Sequence, residues 1–236
     1  MLGIIFTGGE SPPPEVTGRL VEQASMQSIE GALLVAADSG LAAAESAGLR
    51  PSWIIGDMDS LDDLSRLSAY PAHCVIRHEH DKDYTDTEMA FSLALEKGCE
   101  QIWIIGGGGG RIDHLFALRS LFEREVFPRR WITESADICC IDSSTPQNAL
   151  GVCLEKGAAV SVFPLGDGPW KAESLGLKWP LAGLAWNRGF FGLSNAAAGG
   201  EVSVRAHEGR FMVVLPLLAA DITRTRIGIK EKLCLL

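Results

Sequence analysis

Over its first 145 residues the chain alternates short apolar runs with longer segments whose apolar residues recur at helical spacing. LGIIF (2–6) precedes EVTGRLVEQASMQSIE, ALLVAAD (32–38) precedes GLAAAESAG, and WIIGD (53–57) precedes LDDLSRLSA. HCVIRH (73–78) leads to TDTEMAFSLALEKG, QIWIIG (101–106) to RIDHLFALRSLFERE, and then come RRWIT and DICCID (137–142). Runs this short and this rich in β-branched residues fit strands buried on both faces. Such strands need helices above and below them, so the alternation calls for an α/β domain, residues 1–145, with a mostly parallel sheet between helices. Loops leaving the carboxyl ends of such a sheet converge on one edge, where ligands bind. In this chain they carry Asp38, Asp57, Asp59, Asp83, Asp86, Arg111 and Asp113 to that edge.

After STPQNALG the grammar changes. VCLEKGAAVSVFPL (152–165), ESLGLKWPL (173–181) and EVSVRAHEGRFMVVLPL (201–217) are short, alternating and broken by Gly and Pro, which reads as antiparallel strands. A smaller all-β domain of sandwich or barrel type is therefore expected over residues 150–236. Its tail, ITRTRIGIKEKLCLL, fits a last edge strand or a frayed end. A length of 236 residues with 47% hydrophobic content suffices for two cores. A net charge of -9 argues against nucleic acid or an anionic membrane as a partner. The apolar runs are all interrupted well short of a membrane span. MLGIIFTGGESPPP lacks a basic leader and reads as a first strand and loop, not a signal peptide. The 6 cysteines, at positions 74, 99, 139, 140, 153 and 234, show neither CxxC nor zinc-type spacing. Free thiols in a reducing cytoplasm are the expectation.

Within this frame IIGDMDS (54–60) sets Asp57 and Asp59 one residue apart at a strand end. In an extended segment they project to the same side, and at about 5 Å they repel by roughly 3 kcal/mol. Either a divalent cation or exposure in a turn offsets that. Thr85 and Glu88 are spaced as a capping box, which places Asp86 in the first turn of a helix, favourably to its dipole. His78 and His80 have no partner spaced to complete a metal site and read as surface residues. Gly106 to Gly110 run from a strand into a helix at Arg111, so their backbone N–H groups can approach an anion, or their absent side chains can permit tight packing. The GK[ST] ending of a P-loop is missing, and so is the last glycine of a dinucleotide fingerprint. Arg111 at the mouth of that loop suits bidentate phosphate contact. Asp113 and His114 follow in the helix's first turn, Asp38 alone would be an N-cap, and Trp179 alone would be core.

Taken in order and spacing, ADSG (37–40), IIGDMDS, DYTDTEMAF (83–91), GGGGGRIDH (106–114), GLKWPL (176–181) and GLSN (192–195) resemble the thiamine pyrophosphokinase family. The likeness runs from residue 1 to about residue 215. It implies a homodimer with sites between subunits and transfer of pyrophosphate from ATP to the hydroxyl of thiamine. Carried over position by position, it puts magnesium on Asp57, Asp59 and Asp86. It puts Asp38, Lys82, Asp83, Gly108, Gly109, Gly110, Arg111 and His114 around ATP, and makes Asp113 the group that orients or deprotonates the hydroxyl. Ser194, Asn195 and Trp179 would meet thiamine. AAAGG follows the SN pair, so no aromatic residue stands there to stack on the vitamin, and Trp179, Trp186, Phe190 and Phe191 are the substitutes. Two rival readings stand beside it, with a metal-dependent phosphatase, resting on the Asp57–Asp59 pair alone, a weaker third. One is a pyrophosphokinase for another heterocyclic alcohol such as a hydroxymethyl pterin; the other is a non-catalytic nucleotide or thiamine-diphosphate sensor, which three metal-type aspartates beside Arg111 disfavour.

Overall fold

The computed structural model of the protein describes residues 1–59, 61, 63–78, 84–189, 192–217 and 225–227. His80, Lys82, Asp83, Phe190, Phe191 and Cys234 lie outside the described residues. The chain divides into two units, Met1–Ser135 and Ala136–Leu236.

Among the described residues of the first unit six strands, β1 (Leu2–Phe6), β2 (Ala32–Ala37), β3 (Trp53–Gly56), β4 (Val75–Arg77), β5 (Gln101–Ile105) and β6 (Arg130–Ile132), lie in the order β6-β5-β1-β2-β3-β4. Every pairing among them is parallel. Among the described residues four α-helices connect them: α1 (Pro14–Gln27), α2 (Gly40–Ser46), α3 (Asp86–Glu96) and α4 (Ile112–Leu121). Successive residues of one strand serve opposite cores. Val35 and Ala37 pack with Ala90, Phe91, Leu93 and Ala94 of α3. Ala36 and Ile54 pack instead with Leu41 of α2 and with Met58, Leu61, Leu67 and Tyr70. This is the period of two that a sheet covered on both faces demands. The LDDLSRLSA segment departs from the α-helix expected of it. Leu64–Ala69 is a 3₁₀ helix opened by Asp63, whose carboxylate accepts from the Ser65 N–H at 2.9 Å. Because β1 has β2 on one side and β5 on the other, the strand order reverses there, and the crevice that such a reversal opens is at the carboxyl edge.

Among the described residues the second unit is all β. One antiparallel sheet runs β11 (Gly192–Ala196), β9 (Ala159–Leu165), β13 (Arg210–Pro216), β7 (Ala136–Asp142). The other runs β10 (Lys171–Leu175), β12 (Gly200–Glu208), β8 (Ala149–Leu154), β14 (Thr225–Ile227), so part of the tail is an edge strand. Ile141, Val162, Phe211 and Val213 of the first sheet share one core with Leu150, Val152, Val202 and Val204 of the second. The sequence assigns DICCID to the α/β domain and sets the boundary at 145–150. The structure moves it to Ser135/Ala136, because β7 pairs antiparallel with β13 from Ala136 to Asp142. An unbroken apolar run reads alike as a parallel strand or a sandwich-core strand, so periodicity could not separate the two. Among the described residues no helix is long and apolar enough to cross a membrane, and Cys74, Cys99, Cys139, Cys140 and Cys153 are free thiols.

Candidate active site

At the carboxyl edge of the first unit three carboxylates converge. Asp38 follows β2, Asp57 follows β3 and Asp86 opens α3; one oxygen of each lies within 4.8 Å of the others, and all three residues are half-buried. At that spacing each pair of charges repels by about 3–4 kcal/mol at an effective dielectric near 20. The backbone holds them together nonetheless. Asp38 and Met58 sit at φ 49° and φ 66°, left-handed conformations that cost on the order of 1–3 kcal/mol each for residues with a side chain. The Asp38 N–H donates to the Ile55 carbonyl at 2.9 Å, which fixes the end of β2 against β3. Gly56 is required by close approach. A Cβ there would stand 3.1 Å from both Asp38 Cβ and Asp86 Oδ1, and its φ is 152°.

Asp86 is placed by the cap of its helix. The Glu88 N–H donates to Thr85 Oγ1 at 3.2 Å while Glu88 Oε2 accepts from the Thr85 N–H at 2.9 Å, which is the capping box expected from the spacing. Arg124 donates to the other Glu88 oxygen. The buried hydroxyls of Thr7, just after β1, and Thr87 share a hydrogen bond of 2.5 Å that ties this first turn to the sheet. Sequence reading overlooked Thr7, Thr87 and Arg124, since none has a distinctive neighbour in the chain. Asp59 is placed differently from expectation. The segment is not extended, because β3 ends at Gly56 and Met58 turns left-handed with its side chain buried. Asp59 is therefore exposed in a turn, its N–H donating to Asp57 Oδ1 at 3.2 Å, and it stands outside the trio. Asp38, expected near phosphate, stands beside Asp57 and Asp86 instead. The trio is an all-oxygen donor set, which suits a hard divalent cation, and neighbouring ligands of an octahedral magnesium stand about 3 Å apart, so the three carboxylates would have to close in around the ion.

The glycine loop divides in two. Gly106, Gly107 and Gly108 are buried, and their N–H groups donate to Ile132, Gly8 and Glu10 carbonyls at 2.9, 2.8 and 3.0 Å. A Cβ on Gly108 would lie 1.7 Å from Glu134 Oε2. Tight packing against the TGGE segment after β1 thus explains this half, and the Gly108 N–H is committed within the chain, contrary to the expectation that it faces an anion. Gly109 and Gly110 are exposed and lead to Arg111. The Arg111 fork grips Asp113 at both oxygens, Nε to Oδ1 at 3.1 Å and a terminal nitrogen to Oδ2 at 2.5 Å. That contact holds the Asp113 carboxyl down at about 2 and raises Arg111 further. His114 faces a small cavity with Thr7, Gly8, Thr85 and Thr87.

In the second unit Ser194 is left-handed at φ 55° and exposed, its N–H donating to Ser161 Oγ at 3.2 Å. Asn195 is buried and clasps the backbone of Trp179. Its Oδ1 accepts from the Trp179 N–H at 3.1 Å and the Ala196 N–H at 2.9 Å, while Nδ2 donates to the Trp179 carbonyl at 2.6 Å. The Trp179 ring is 54% exposed with Lys178 Nζ 4.5 Å from its centre, so it is a surface platform and not core. Trp186 is buried against Phe211 and offers no such surface.

Residues 27–130 match the family model described as thiamin pyrophosphokinase, catalytic domain. A thiamine pyrophosphokinase from Bacillus subtilis (strain 168) is 33% identical over 128 residues, 53% of this chain and 55% of that protein. The aligned part thus spans about half the length of that curated relative. Among solved structures, thiamin pyrophosphokinase from Geobacillus thermodenitrificans is 24% identical with a TM-score of 0.66, covering 95% of this chain and 100% of the other. Thiamine pyrophosphokinase from Bacillus subtilis is 23% identical with a TM-score of 0.69, covering 94% and 99%. At these identities the structural likeness establishes the fold: an α/β unit followed by an antiparallel β unit.

Proposed function

We propose that the protein is a magnesium-dependent thiamine pyrophosphokinase that transfers pyrophosphate from ATP to thiamine, giving thiamine diphosphate and AMP. The observation that carries this reading is the trio of half-buried carboxylates, gathered by left-handed backbone at Asp38 and Met58, in the region that matches that family's catalytic domain. Asp38, Asp57 and Asp86 would hold the ion, with Asp59 reaching it from the exposed side of the turn. Magnesium, when bound, offsets the charge of a triphosphate and polarises its phosphoryl oxygens. The hydroxyl oxygen of thiamine bonds to the β-phosphorus, the bond from that phosphorus to the α-bridging oxygen breaks, AMP leaves with the electron pair, and the hydroxyl proton passes to solvent.

Arg111 would turn its fork from Asp113 to the β- and γ-phosphate oxygens, where negative charge develops. Gly109 and Gly110 would bring backbone donors beside it, and His114, Lys82 and Asp83 complete the surroundings of ATP. Asp113 would keep the guanidinium aimed while the nucleotide is absent and steer the hydroxyl once it is present. Trp179 would lie against the flat cation of thiamine, Ser194 would hydrogen-bond it, and Asn195 would act by holding Trp179 in place. A homodimer in the cytoplasm is part of the same reading.

The test is direct. Incubated with ATP, magnesium and thiamine, the protein should form AMP and thiamine diphosphate in equal amounts, resolved by ion-exchange chromatography. Formation of ADP or inorganic phosphate would overturn pyrophosphate transfer. Activity confined to a hydroxymethyl pterin would move the acceptor and keep the chemistry; no product with any alcohol would favour a sensor.

A further inference from the structure

We infer that Met58, the residue between the two aspartates of GDMDS, is a positioning residue for the acidic trio; this rests on the reading that the trio holds a divalent cation. Three consecutive side chains there have three different environments. Asp57 is half-buried, Met58 is 3% exposed, and Asp59 is exposed. Met58 enters a core with Ala36, Leu41, Ile54, Leu67 and Tyr70, which lie on the strands, the helix and the 3₁₀ turn around it. Its backbone is left-handed at φ 66°, a conformation that an unbranched apolar residue rarely adopts unless its surroundings dictate it. The dictating contact is the buried thioether chain. Left-handed geometry at Met58 reverses the chain, so Asp57 stays with Asp38 and Asp86 and the Asp59 N–H closes on Asp57 Oδ1 at 3.2 Å.

Glycine would favour this backbone more than methionine does, because it carries no Cβ. A chain that needed only the turn would be improved by Met58→Gly. A chain that uses the side chain as an anchor would loosen the carboxylate arrangement, since the turn then loses its own buried side-chain contact and keeps only the more distant one at Leu61.

The experiment titrates the full-length protein with manganese(II) alone, followed by the free-ion signal in electron paramagnetic resonance, with thermal unfolding measured on the same samples. Met58→Gly is expected to bind manganese about tenfold more weakly, and Met58→Leu, which keeps an apolar anchor, within about twofold of wild type. Leu67→Ala, which thins the anchoring core without touching the turn, is expected to weaken binding about threefold and serves if Met58→Gly does not fold. A merely structural role predicts lower melting temperatures with unchanged manganese affinity per folded molecule, and that result would overturn the inference. If wild type and Asp57→Asn bind manganese alike, the cation reading of the trio falls and the inference with it.

Discussion

The acidic trio and the Arg111–Asp113 pair stand at the same edge of the α/β unit but are built on opposite principles. Asp38, Asp57 and Asp86 come from three elements, are half-buried, and are forced together against their mutual repulsion by left-handed backbone and a glycine that leaves room for them. Arg111 and Asp113 are two residues apart on one helix start, with side chains 70% and 62% exposed, and hold each other. Like charges have to be kept in place by the fold, whereas an exposed ion pair contributes little to stability and can exchange partners at small cost. On the proposed reading the trio is the fixed feature that takes a cation, and the guanidinium the movable one that turns to a phosphate.

The largest effect should follow from breaking the rigid side. Asp57→Asn, Asp38→Asn and Asp86→Asn are each expected to lower turnover by about a hundredfold or more, as loss of a fixed electrostatic stabiliser does. Their unfolding midpoints without metal should hold or rise, because each substitution relieves repulsion. Asp59→Asn, outside the trio, should cost less than any of the three. Steady-state rates at saturating magnesium, with urea melts alongside, measure both; a larger loss at Asp59 than at Asp38 would reverse the assignment within the cluster.

On the movable side the effects should be smaller. Arg111→Lys, which keeps the charge and removes the fork, is expected to lower turnover about tenfold with an unchanged melting temperature. A fall in melting temperature with normal turnover would return Arg111 to a packing role. Asp113 adds a pH signature. In the free protein the hydrogen bonds from Arg111 hold its carboxyl at about 2, and with the fork turned to phosphate it returns toward the ordinary value near 4, so in both states it is ionised above about pH 5. Any acid limb between pH 5 and pH 8 should thus be identical in wild type and Asp113→Asn. A limb that disappears in the variant would make Asp113 a general base after all.

How much of this could be read from the sequence follows the same division. The parallel sheet, the capping box and the gathering of aspartates at one edge were legible, because alternation and spacing are local signals. The exchange of Asp38 for Asp59 was not. It depends on the backbone of Met58, and a left-handed residue that is neither glycine nor asparagine leaves no mark in composition. GGGGG suggested an anion cradle, yet two of its N–H groups belong to the packing against TGGE, which only the adjacency of β1 and β5 reveals, and a third donates to Ile132 of β6. Asn195 suggested a ligand contact, and its amide instead clasps a backbone 16 residues away in the chain. In each case the residue was noticed and its partner was not.

The smallest prediction tests the foundation under the rigid side. Tyr70 closes the core that anchors Met58, its hydroxyl donates to Glu45 Oε1 at 3.1 Å, and Arg50 lies 4.7 Å from its ring centre. Burial first, and the Glu45 carboxylate next, push the hydroxyl up to about 12. The folded protein therefore retains this proton where an unfolded chain, near 10, has released it. The sign follows from linkage: the contribution of Tyr70 is whole below about pH 10 and is lost as pH rises through 12. Tyr70→Phe should cost about 0.5–1.5 kcal/mol at pH 8, where it removes one hydrogen bond. The difference between wild type and variant should then shrink from pH 10 upward, read as urea midpoints at pH 8 and pH 11. Manganese affinity at pH 8 should be unchanged in the variant, because the ring still fills the core beneath Met58. A difference in midpoint that is the same at both pH values would mean that the hydroxyl ionises as freely in the folded protein as in the unfolded chain, and that the floor of the acidic trio is wetter than its burial indicates.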